Sequence, residues 1–435
     1  MQKKQINILW FRNDLRIDDN TALHKCLKSN LQTIGLYCFE PRHYDDYFYG
    51  LKKTETYRAQ FIIESVEDLK NQLKSLNIGL NISLESPVEA LISLNEVYDI
   101  KGVFYQKEWT SEEVEVEDEI ISAFPKVEFN SYYDQFLFHP DDVPYEDFQN
   151  IPKVFTNFRK KCQKQSEVRS ALDVPKPQST EFYVDFESKV PELSDLGLNE
   201  FKEHPHSAFP FKGGESAAKE RLDYYFWETE KLKYYKKTRN GLLGTDYSSK
   251  FSAWLAHGCI SARRIYAEVK KFEKEIKKNQ DTYWLIFELI WRDYFKYVSL
   301  KHGNDIFKIG GILDKDYDWN RNKIAFKEWS EGRTKDDFVN ANMIELRKTG
   351  FMSNRGRQNV ASYWSKTLKQ DWRIGAAYFE AMLVDYDVHS NWGNWMYNSG
   401  VGNDPRDRKF NTQSQAERYD SNGKYRRTWL QESLF

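Results

Sequence analysis

Short apolar runs alternate with amphipathic stretches over the first 130 residues of the chain. The apolar runs have the length of strands buried on both faces, and the stretches between them have the apolar spacing of helices. The predicted strands are Ile6–Phe11, Thr33–Phe39, Leu80–Leu84, Gly102–Gln106 and Val127–Phe129, and the predicted helices lie near Asn20–Ser29, Thr54–Ser75, Pro87–Val97 and Glu112–Ala123. Strands that alternate with helices predict a parallel, doubly wound α/β sheet.

The pattern changes twice further along the chain. Residues 133–205 carry seven prolines among polar residues with little periodicity, which predicts a long connector between domains. From about Glu215 onward, apolar and aromatic residues recur at helical spacing. We therefore predict an α/β domain over 1–132, a connector over 133–205 and an all-α domain over 206–435.

The composition agrees with this division. A length of 435 residues fits two or three domains, and eleven of the 13 tryptophans follow residue 200. The sequence shows no membrane-length apolar run and no signal peptide, so we expect a cytoplasmic protein without membrane association. The four cysteines lie far apart without C-x-x-C spacing, which argues for free thiols and against a metal site.

A net charge of −2 conceals local imbalance. Residues 108–119 hold seven acids and no cation, whereas residues 405–427 hold seven cations and three acids. Basic helical segments interleaved with Trp and Tyr are typical of a surface that faces nucleic acid, where phosphates meet cations and bases meet rings. Solvated helix faces are the alternative, and charge alone leaves it open.

The turn after the first strand bears on nucleotide binding. A dinucleotide-binding sheet would carry a G-x-G-x-x-G turn there, but residues 11–16 read FRNDLR. This argues against dinucleotide binding by the sheet domain.

Four polar segments of the second half are candidates for chemistry. In residues 244–252, hydroxyls and backbone amides precede an apolar stretch, which suits either phosphate binding or ordinary helix capping. In 288–292, Glu288, Trp291 and Arg292 share one helix face, and the alternative is a plain i,i+4 ion pair beside a core tryptophan.

The other two segments complement each other. Residues 350–359 are dense in amide and guanidinium groups that can bind a flat heterocycle, and Arg357 there needs a buried carboxylate partner. The segment 385–395 supplies carboxylates between apolar residues, so its acids are expected to be partly buried and paired.

Taken together, these segments resemble the photolyase and cryptochrome family, and most closely its DASH-type branch. The resemblance runs from residue 6 to the end of the chain. The strings that carry it are WFRNDLR at 10–16, TRNG at 238–241, YSSKFS at 247–252, TGFMSNRGRQNVAS at 349–362, DYD at 385–387 and GVGNDPR at 400–406.

The resemblance implies that FAD binds within the helical domain. It assigns Tyr235, Ser248, Ser249, Phe251 and Ser252 to the phosphates and sugars, Glu288, Trp291 and Arg292 to the side of the flavin pocket, and Asn354, Arg357, Asp385, Asp387 and Asn391 to the isoalloxazine and adenine. Asn391 matches the position that faces the reactive flavin nitrogen. A neutral amide there favours full two-electron reduction, and hence repair chemistry over signalling.

The resemblance also implies an electron relay of three tryptophans. Trp395 would lie nearest the flavin, followed by Trp372 and then by Trp319 at the surface, with the rings in near contact. For any one of them core packing is the alternative. Trp254, Trp284, Trp329 and Trp364 are interpreted as core residues.

The activity implied is light-driven repair of cyclobutane pyrimidine dimers, preferentially in single-stranded DNA, by a monomer. Glu288 would contact the flipped dimer and Trp291 would stack on it, with Tyr397, Arg406 and Arg408 also on the DNA side. Tyr397 stands where classical dimer photolyases have a second tryptophan. The alternatives are a blue-light sensor with little repair activity and a helical nucleic-acid binder without flavin.

A second chromophore is also implied, in the groove between the domains. In this branch it is usually 5,10-methenyltetrahydrofolate, and Glu108 and Glu112 are the candidate contacts. For Glu112 the alternative is an acidic helix start favoured by the helix dipole.

Overall fold

The computed structural model describes residues 3–431, so the outer ends of the two predicted domains, residues 1–2 and 432–435, lie outside the described residues. The first domain is built on a sheet of five parallel strands in the order β3-β2-β1-β4-β5. The strands are β1 Gln5–Trp10, β2 Gln32–Cys38, β3 Leu80–Ser83, β4 Asp99–Gln106 and β5 Glu128–Tyr132. The predicted doubly wound parallel sheet is confirmed.

Four helices connect these strands, as the alternating pattern predicted. They are α1 Thr21–Leu27, α2 Thr56–Ser75, α3 Pro87–Val97 and α4 Ser111–Ala123. The largest boundary errors are at the start of β4 and the end of β5. Neither strand end is part of a continuous apolar run, so the sequence pattern did not predict it. The start of β4 alternates as Asp99-Ile100-Lys101, and the end of edge strand β5 holds the partly exposed polar residues Asn130 and Ser131.

The predicted connector is not irregular throughout. Helix α5, Phe155–Gln165, lies within it and buries Phe155, Phe158 and Cys162, which recur at i, i+3 and i+7. This narrow apolar stripe was missed because polar residues fill the rest of the helix. Short 3₁₀ turns follow the remainder of the segment, at Pro140–Asp142, Phe148–Asn150, Thr180–Phe182 and Leu193–Leu196.

The second domain is helical, as predicted. Its helices are α6 Glu215–Asp223, α7 Tyr235–Thr238, α8 Ser252–Ala256, α9 Ala262–Glu275, α10 Gln280–His302, α11 Lys323–Ser330, α12 Asp337–Thr349, α13 Asn354–Ser362, α14 Trp372–Met382, α15 Val388–Ser399, α16 Thr412–Tyr419 and α17 Lys424–Gln431. Within residues 3–431, no helix combines the length and the apolar character needed to cross a membrane.

A buried ionic network fixes the two domains against each other. Arg263, at the start of α9, pairs with Asp19 at 2.8 Å and with Asp134 at 2.9 Å, two residues that follow β1 and β5 respectively. The backbones approach closely beside it, since a Cβ on Gly258 would lie 2.0 Å from the carbonyl oxygen of Asn13. The strand ends of the sheet therefore face the helical domain across a defined gap.

Candidate functional site

Two cavities lie on either side of Asp387. The larger, of about 730 Å³, lies between the domains and is lined by residues that follow β1 and β4 and by Arg292 and Lys296 of α10. We call it the interdomain cavity. It opens where the strand order reverses, which is where α/β sheets commonly bind ligands. The smaller, of about 70 Å³, lies within the helical domain. We call it the inner cavity, and Asp387 lines both.

Helix starts bring the predicted flavin residues to the inner cavity. Ser353 caps α13 by accepting a hydrogen bond from the Gly356 amide at 3.0 Å, which places Asn354 in the first turn. Asp387 caps α15 in the same way through Ser390, at 2.7 Å. The inner cavity is lined by Asn354, Arg357, Asp385, Asp387, Asn391 and Trp395, among other residues. The structure thus brings together five of the residues assigned to the flavin and the first relay tryptophan.

Arg357 has the carboxylate partner that the sequence required. Its Nη2 donates to both oxygens of Asp385 at 2.9 Å, and its Nε donates to the Met352 carbonyl at 2.9 Å. The Asp385 side chain is almost fully buried, so the pair is held rigidly by charge and by hydrogen bonds. A fixed guanidinium therefore faces the inner cavity.

Asp387 has a partner that the sequence analysis missed. The Lys296 ammonium lies 2.9 Å from Asp387 Oδ2. Although burial alone would raise it, the pKa of Asp387 is held well below its ordinary value by Lys296 and neighbouring cations. The available signal was a lysine within the mostly apolar run Tyr294–Val298 of α10, because a buried cation needs a carboxylate.

The orientation of Asn391 is fixed by the backbone. Its Nδ2 donates to the Ala376 carbonyl at 3.0 Å, which fixes the orientation of the amide, and its Oδ1 can accept a hydrogen bond from a ligand. The side chain is buried at the cavity wall. An acceptor in this position suits a ring nitrogen that carries a hydrogen.

The residues assigned to the phosphates line neither cavity. Arg221 holds their turn, because its Nε and Nη2 donate to the carbonyls of Ser249 and Ser248 at 3.1 Å. Tyr235 and Phe251 are buried, whereas Ser252 is exposed. The capping alternative is not supported, since the α8 N-cap residue is Phe251 and no described side chain caps this helix.

Glu288, Trp291 and Arg292 turn to different partners. Glu288 lies 3.0 Å from the Arg239 guanidinium, whereas Arg292 donates to the carbonyls of Leu255, at 2.9 Å, and Gln135. Within residues 3–431 the alternative i,i+4 ion pair is therefore not formed. Arg292 lines the interdomain cavity and not the inner one, because those two carbonyls hold it there.

Trp291 already carries a stacked ring from its own chain. Phe155 of α5 lies parallel to it, with ring centroids 3.6 Å apart. The Tyr397 ring stands perpendicular to Trp291, with centroids 6.1 Å apart, and Tyr397 in turn contacts Arg408, which pairs with Asp404 at 3.1 Å. Trp291, Tyr397 and Arg408 are thus contiguous, and Arg406 is exposed nearby in sequence. Phe155 thus covers one face of Trp291, and Phe295 contacts the same ring with centroids 5.5 Å apart.

Two groups of tryptophans extend from Trp395. The inner tryptophans, Trp329 and Trp364, form a contact series with centroids 6.2 Å from Trp395 to Trp329 and 4.9 Å from Trp329 to Trp364. The outer tryptophans are the predicted relay residues Trp372 and Trp319. No ring contact joins any two of Trp395, Trp372 and Trp319 within residues 3–431, so the near ring contact expected of the relay is not found.

Trp395 reaches the outer tryptophans through a helix instead. Its ring lies against Gly375, where an added Cβ would fall 2.2 Å from Cη2. Gly375 is one turn from Trp372 on α14. A path from Trp395 to the outer tryptophans would therefore have to cross α14 at Gly375.

Both candidate antenna residues line the interdomain cavity. Glu108 is buried and accepts a hydrogen bond from Gln106 at 2.8 Å, and burial raises its pKa. Glu112 lies in the first turn of α4, as the alternative expected, and pairs with Lys53. Buried polar atoms on this wall have no hydrogen-bond partner in the described chain, namely Arg12 Nη1, Gln106 Oε1, Gln135 Oε1 and His389 Nε2. The cavity therefore suits a polar ligand.

The inner cavity fits the end of a flavin ring. Its wall offers the Arg357 guanidinium and the Asn391 amide, and two buried polar atoms there, Trp395 Nε1 and Asn398 Oδ1, lack a partner in the described chain. Its volume accommodates only part of a dinucleotide. The fit consequently concerns the ring and not the phosphates.

Comparison with known proteins supports both domains. The family described as DNA photolyase matches residues 7–178, and the FAD binding domain of DNA photolyase matches residues 284–433. A protein of Xenopus laevis named Cryptochrome DASH is 45% identical over 98% of this chain and 83% of its own length. A protein of Gloeobacter violaceus with the same name is 45% identical over 98% and 85%.

Solved structures agree with the sequence relatives. The crystal structure of a Synechocystis sp. PCC6803 cryptochrome is similar with a TM-score of 0.94 and 42% identity, over 99% of this chain and 90% of that chain. A bacterial class III photolyase from Agrobacterium tumefaciens is similar with a TM-score of 0.84 and 25% identity, over 99% and 88%.

Proposed function

Since the chain belongs to the photolyase and cryptochrome family, in its cryptochrome DASH branch, we propose that it is a light-driven lyase. Its proposed substrate is the cyclobutane pyrimidine dimer, preferentially in single-stranded DNA. The observation that carries the proposal is the inner cavity, where Asn391 offers an acceptor beside the buried pair of Arg357 and Asp385.

The residues of the inner cavity determine which flavin state is favoured. When bound and fully reduced, FAD would supply the electron that splits the dimer on absorbing blue light. Arg357, fixed by Asp385, presents a positive charge that stabilises an anionic reduced ring. Asn391 cannot donate a proton as an acid would, and its free Oδ1 accepts from a protonated ring nitrogen. These features support repair over a radical-state signalling cycle.

The lesion would be received by the side of α10 that carries Glu288 and Trp291. Burial raises the pKa of Glu288 and the Arg239 guanidinium lowers it, so this carboxyl can hydrogen-bond a pyrimidine carbonyl when protonated. Trp291 offers its remaining face for stacking, and Arg408 beside Tyr397 offers charge to a phosphate. Flipping costs less in single strands, which have no partner base to lose.

The interdomain cavity would hold the antenna, and 5,10-methenyltetrahydrofolate is the candidate. Glu108 would accept hydrogen bonds from the pterin ring, and Glu112 lies at the same wall of the cavity. The unpartnered polar atoms of this wall support a polar ligand. The absorption spectrum of the purified protein tests this point, because flavin and folate bands are distinct.

The test of function is dimer cleavage. The FAD-loaded protein, chemically reduced in the dark, is mixed with a single-stranded oligonucleotide that contains one dimer and is then illuminated. We expect restored pyrimidines, and a strong loss of cleavage in Glu288→Ala, with Glu128→Ala of the exposed sheet edge as the control. A photoreducible wild-type protein that never cleaves the dimer would contradict the lyase proposal and favour a blue-light sensor.

A further inference from the structure

Tyr317 lies beside Trp319 with a proton acceptor in place. The two ring centroids are 5.4 Å apart, and the Tyr317 hydroxyl donates to Asp407 Oδ2 at 3.1 Å. The Lys315 ammonium donates to the same phenol oxygen at 3.3 Å. Because an ammonium can only donate, the single phenolic proton of Tyr317 is directed to the carboxylate.

We propose that Tyr317 is the outermost electron donor of the tryptophan relay and that Asp407 accepts its phenolic proton. The inference rests on the proposed function, because it requires the light-excited, oxidised flavin as the oxidant. Trp319, after losing one electron along the relay, regains it from Tyr317. The O–H bond of Tyr317 breaks, its proton passes to Asp407, and a neutral tyrosyl radical remains. An external one-electron reductant such as a thiol then restores Tyr317, and the proton returns.

The surroundings of Trp319 favour passing the charge on. Its indole Nε1 is buried and has no hydrogen-bond partner within residues 3–431, so oxidised Trp319 cannot release its own proton there. Tyr317 has a polar outlet, because Asp407 is exposed to solvent. The positive charge left on oxidised Trp319 is therefore stabilised only when it moves to Tyr317.

The charges around Tyr317 require that its proton leaves with the electron. The ammonium groups of Lys315 and Lys366 each lie 5.7 Å from the centre of its ring, and both oppose a positively charged ring. Lys366 also pairs with Asp407. This pairing keeps the carboxylate ionised and ready to accept a proton.

The chain contains a matched control for this arrangement. The hydroxyl of Tyr224 donates to Asp246 at 3.0 Å, and Lys231 donates to the same oxygen at 3.4 Å. The proton chemistry is therefore equivalent. However, no tryptophan ring contacts Tyr224 in the described chain, so it lacks an electron path.

The experiment follows the radicals formed after a light flash. Oxidised, FAD-loaded protein is excited without oxygen or added reductant, and time-resolved absorption and electron paramagnetic resonance distinguish tyrosyl from tryptophanyl radicals. We expect a tyrosyl radical in the wild type and a tryptophanyl radical in Tyr317→Phe and in Asp407→Asn. Tyr224→Phe should match the wild type. FAD content and thermal unfolding of each variant confirm that it is folded.

The outcomes separate this inference from the proposed function. A tyrosyl radical that persists in Tyr317→Phe, or a wild type that stops at tryptophanyl, would overturn the role of Tyr317 and leave the relay intact. No aromatic radical in any protein would refute the relay itself. Dimer cleavage by chemically reduced protein should be equal in the wild type and Tyr317→Phe, because that reaction does not draw on the relay.

Discussion

The inner tryptophans differ from Trp319 in ring contact, in burial and in access to a proton acceptor. The inner tryptophans are linked to Trp395 by ring contacts but are fully buried, and the indole of Trp364 is tied to the Asp371 carbonyl at 2.9 Å. The outer tryptophans lack that contact, and Trp372 is as buried as the inner ones, with its indole bonded to the Ile309 carbonyl at 2.9 Å. Trp319, however, is partly exposed beside Tyr317 and a carboxylate. We therefore propose that ring contact alone does not make an electron relay. A donor must also be able to lose its charge to the surroundings.

The largest effect on photoreduction is expected at Trp395, from which both groups of tryptophans extend. Trp395→Phe should nearly abolish photoreduction of oxidised FAD while FAD stays bound, because every path to either group starts at this ring. Photoreduction is measured as loss of flavin absorbance under blue light with a thiol present. A rate equal to that of the wild type would show that electrons reach the cavity by another path.

Gly375→Ala should move Trp395 itself. The added methyl would overlap the Trp395 ring, so either the ring or α14 must shift, and overpacking of this kind costs about 1–3 kcal/mol of unfolding free energy. We expect weaker FAD retention and slower photoreduction together, read from denaturant unfolding and flavin absorbance. Glu128→Ala is the control for stability, since this side chain is exposed at the sheet edge and its removal leaves no overlap and no cavity.

Exchanging one tryptophan in each group should separate their roles. Trp319→Phe should slow photoreduction several-fold with little change in stability, because this ring is partly exposed. Trp364→Phe should leave photoreduction unchanged and lower the unfolding free energy by about 1–3 kcal/mol, as expected for loss of buried aromatic volume. The opposite pattern would make the inner tryptophans the relay.

The smallest effect is expected on the stability of the protein at acidic pH. Partial burial of Asp407 would raise its pKa, but the Lys366 ammonium holds that pKa below its ordinary value. This ion pair stabilises the folded protein at pH values above the ordinary carboxyl pKa. The stabilisation is lost as the pH falls through the lowered pKa of Asp407. Because the pair is exposed, Asp407→Asn should remove less than about 1 kcal/mol. Urea unfolding from about pH 6 to about pH 3 tests it. An equal acid-dependent loss in wild type and Asp407→Asn would contradict the effect of this pair.

The sequence predicted most of the fold because its signals are local. Apolar runs bounded by amphipathic helices specify a parallel sheet whatever surrounds them, and α3 was placed at its observed ends. Helix α5 was not predicted because its apolar stripe has only three residues. The purpose of this stripe becomes clear only in the folded protein, where Phe155 packs on Trp291. A segment stabilised by tertiary packing carries a weak local signal.

The candidate site, like the fold, has features that the sequence predicted and others that it did not. Arg357 and its need for a carboxylate followed from the sequence, because a buried guanidinium must be paired. The pairs of Lys296 with Asp387 and of Arg239 with Glu288 did not, since partners so far apart in the chain meet only through the packing of α10. The sequence could show that a charge needed a partner, but not which residue supplied it.

The sequence by itself thus determined the α/β and helical architecture through its periodicity, and its motifs indicated the family, whose resemblance implied the residues at the inner cavity wall. Tertiary structure decided the orientation of Asn391, the covered face of Trp291 and the difference between the inner and outer tryptophans. Each of these depends on contacts between elements distant in sequence. Burial and solvent exit, which distinguish a buried ring from an electron donor, exist only once those elements have packed.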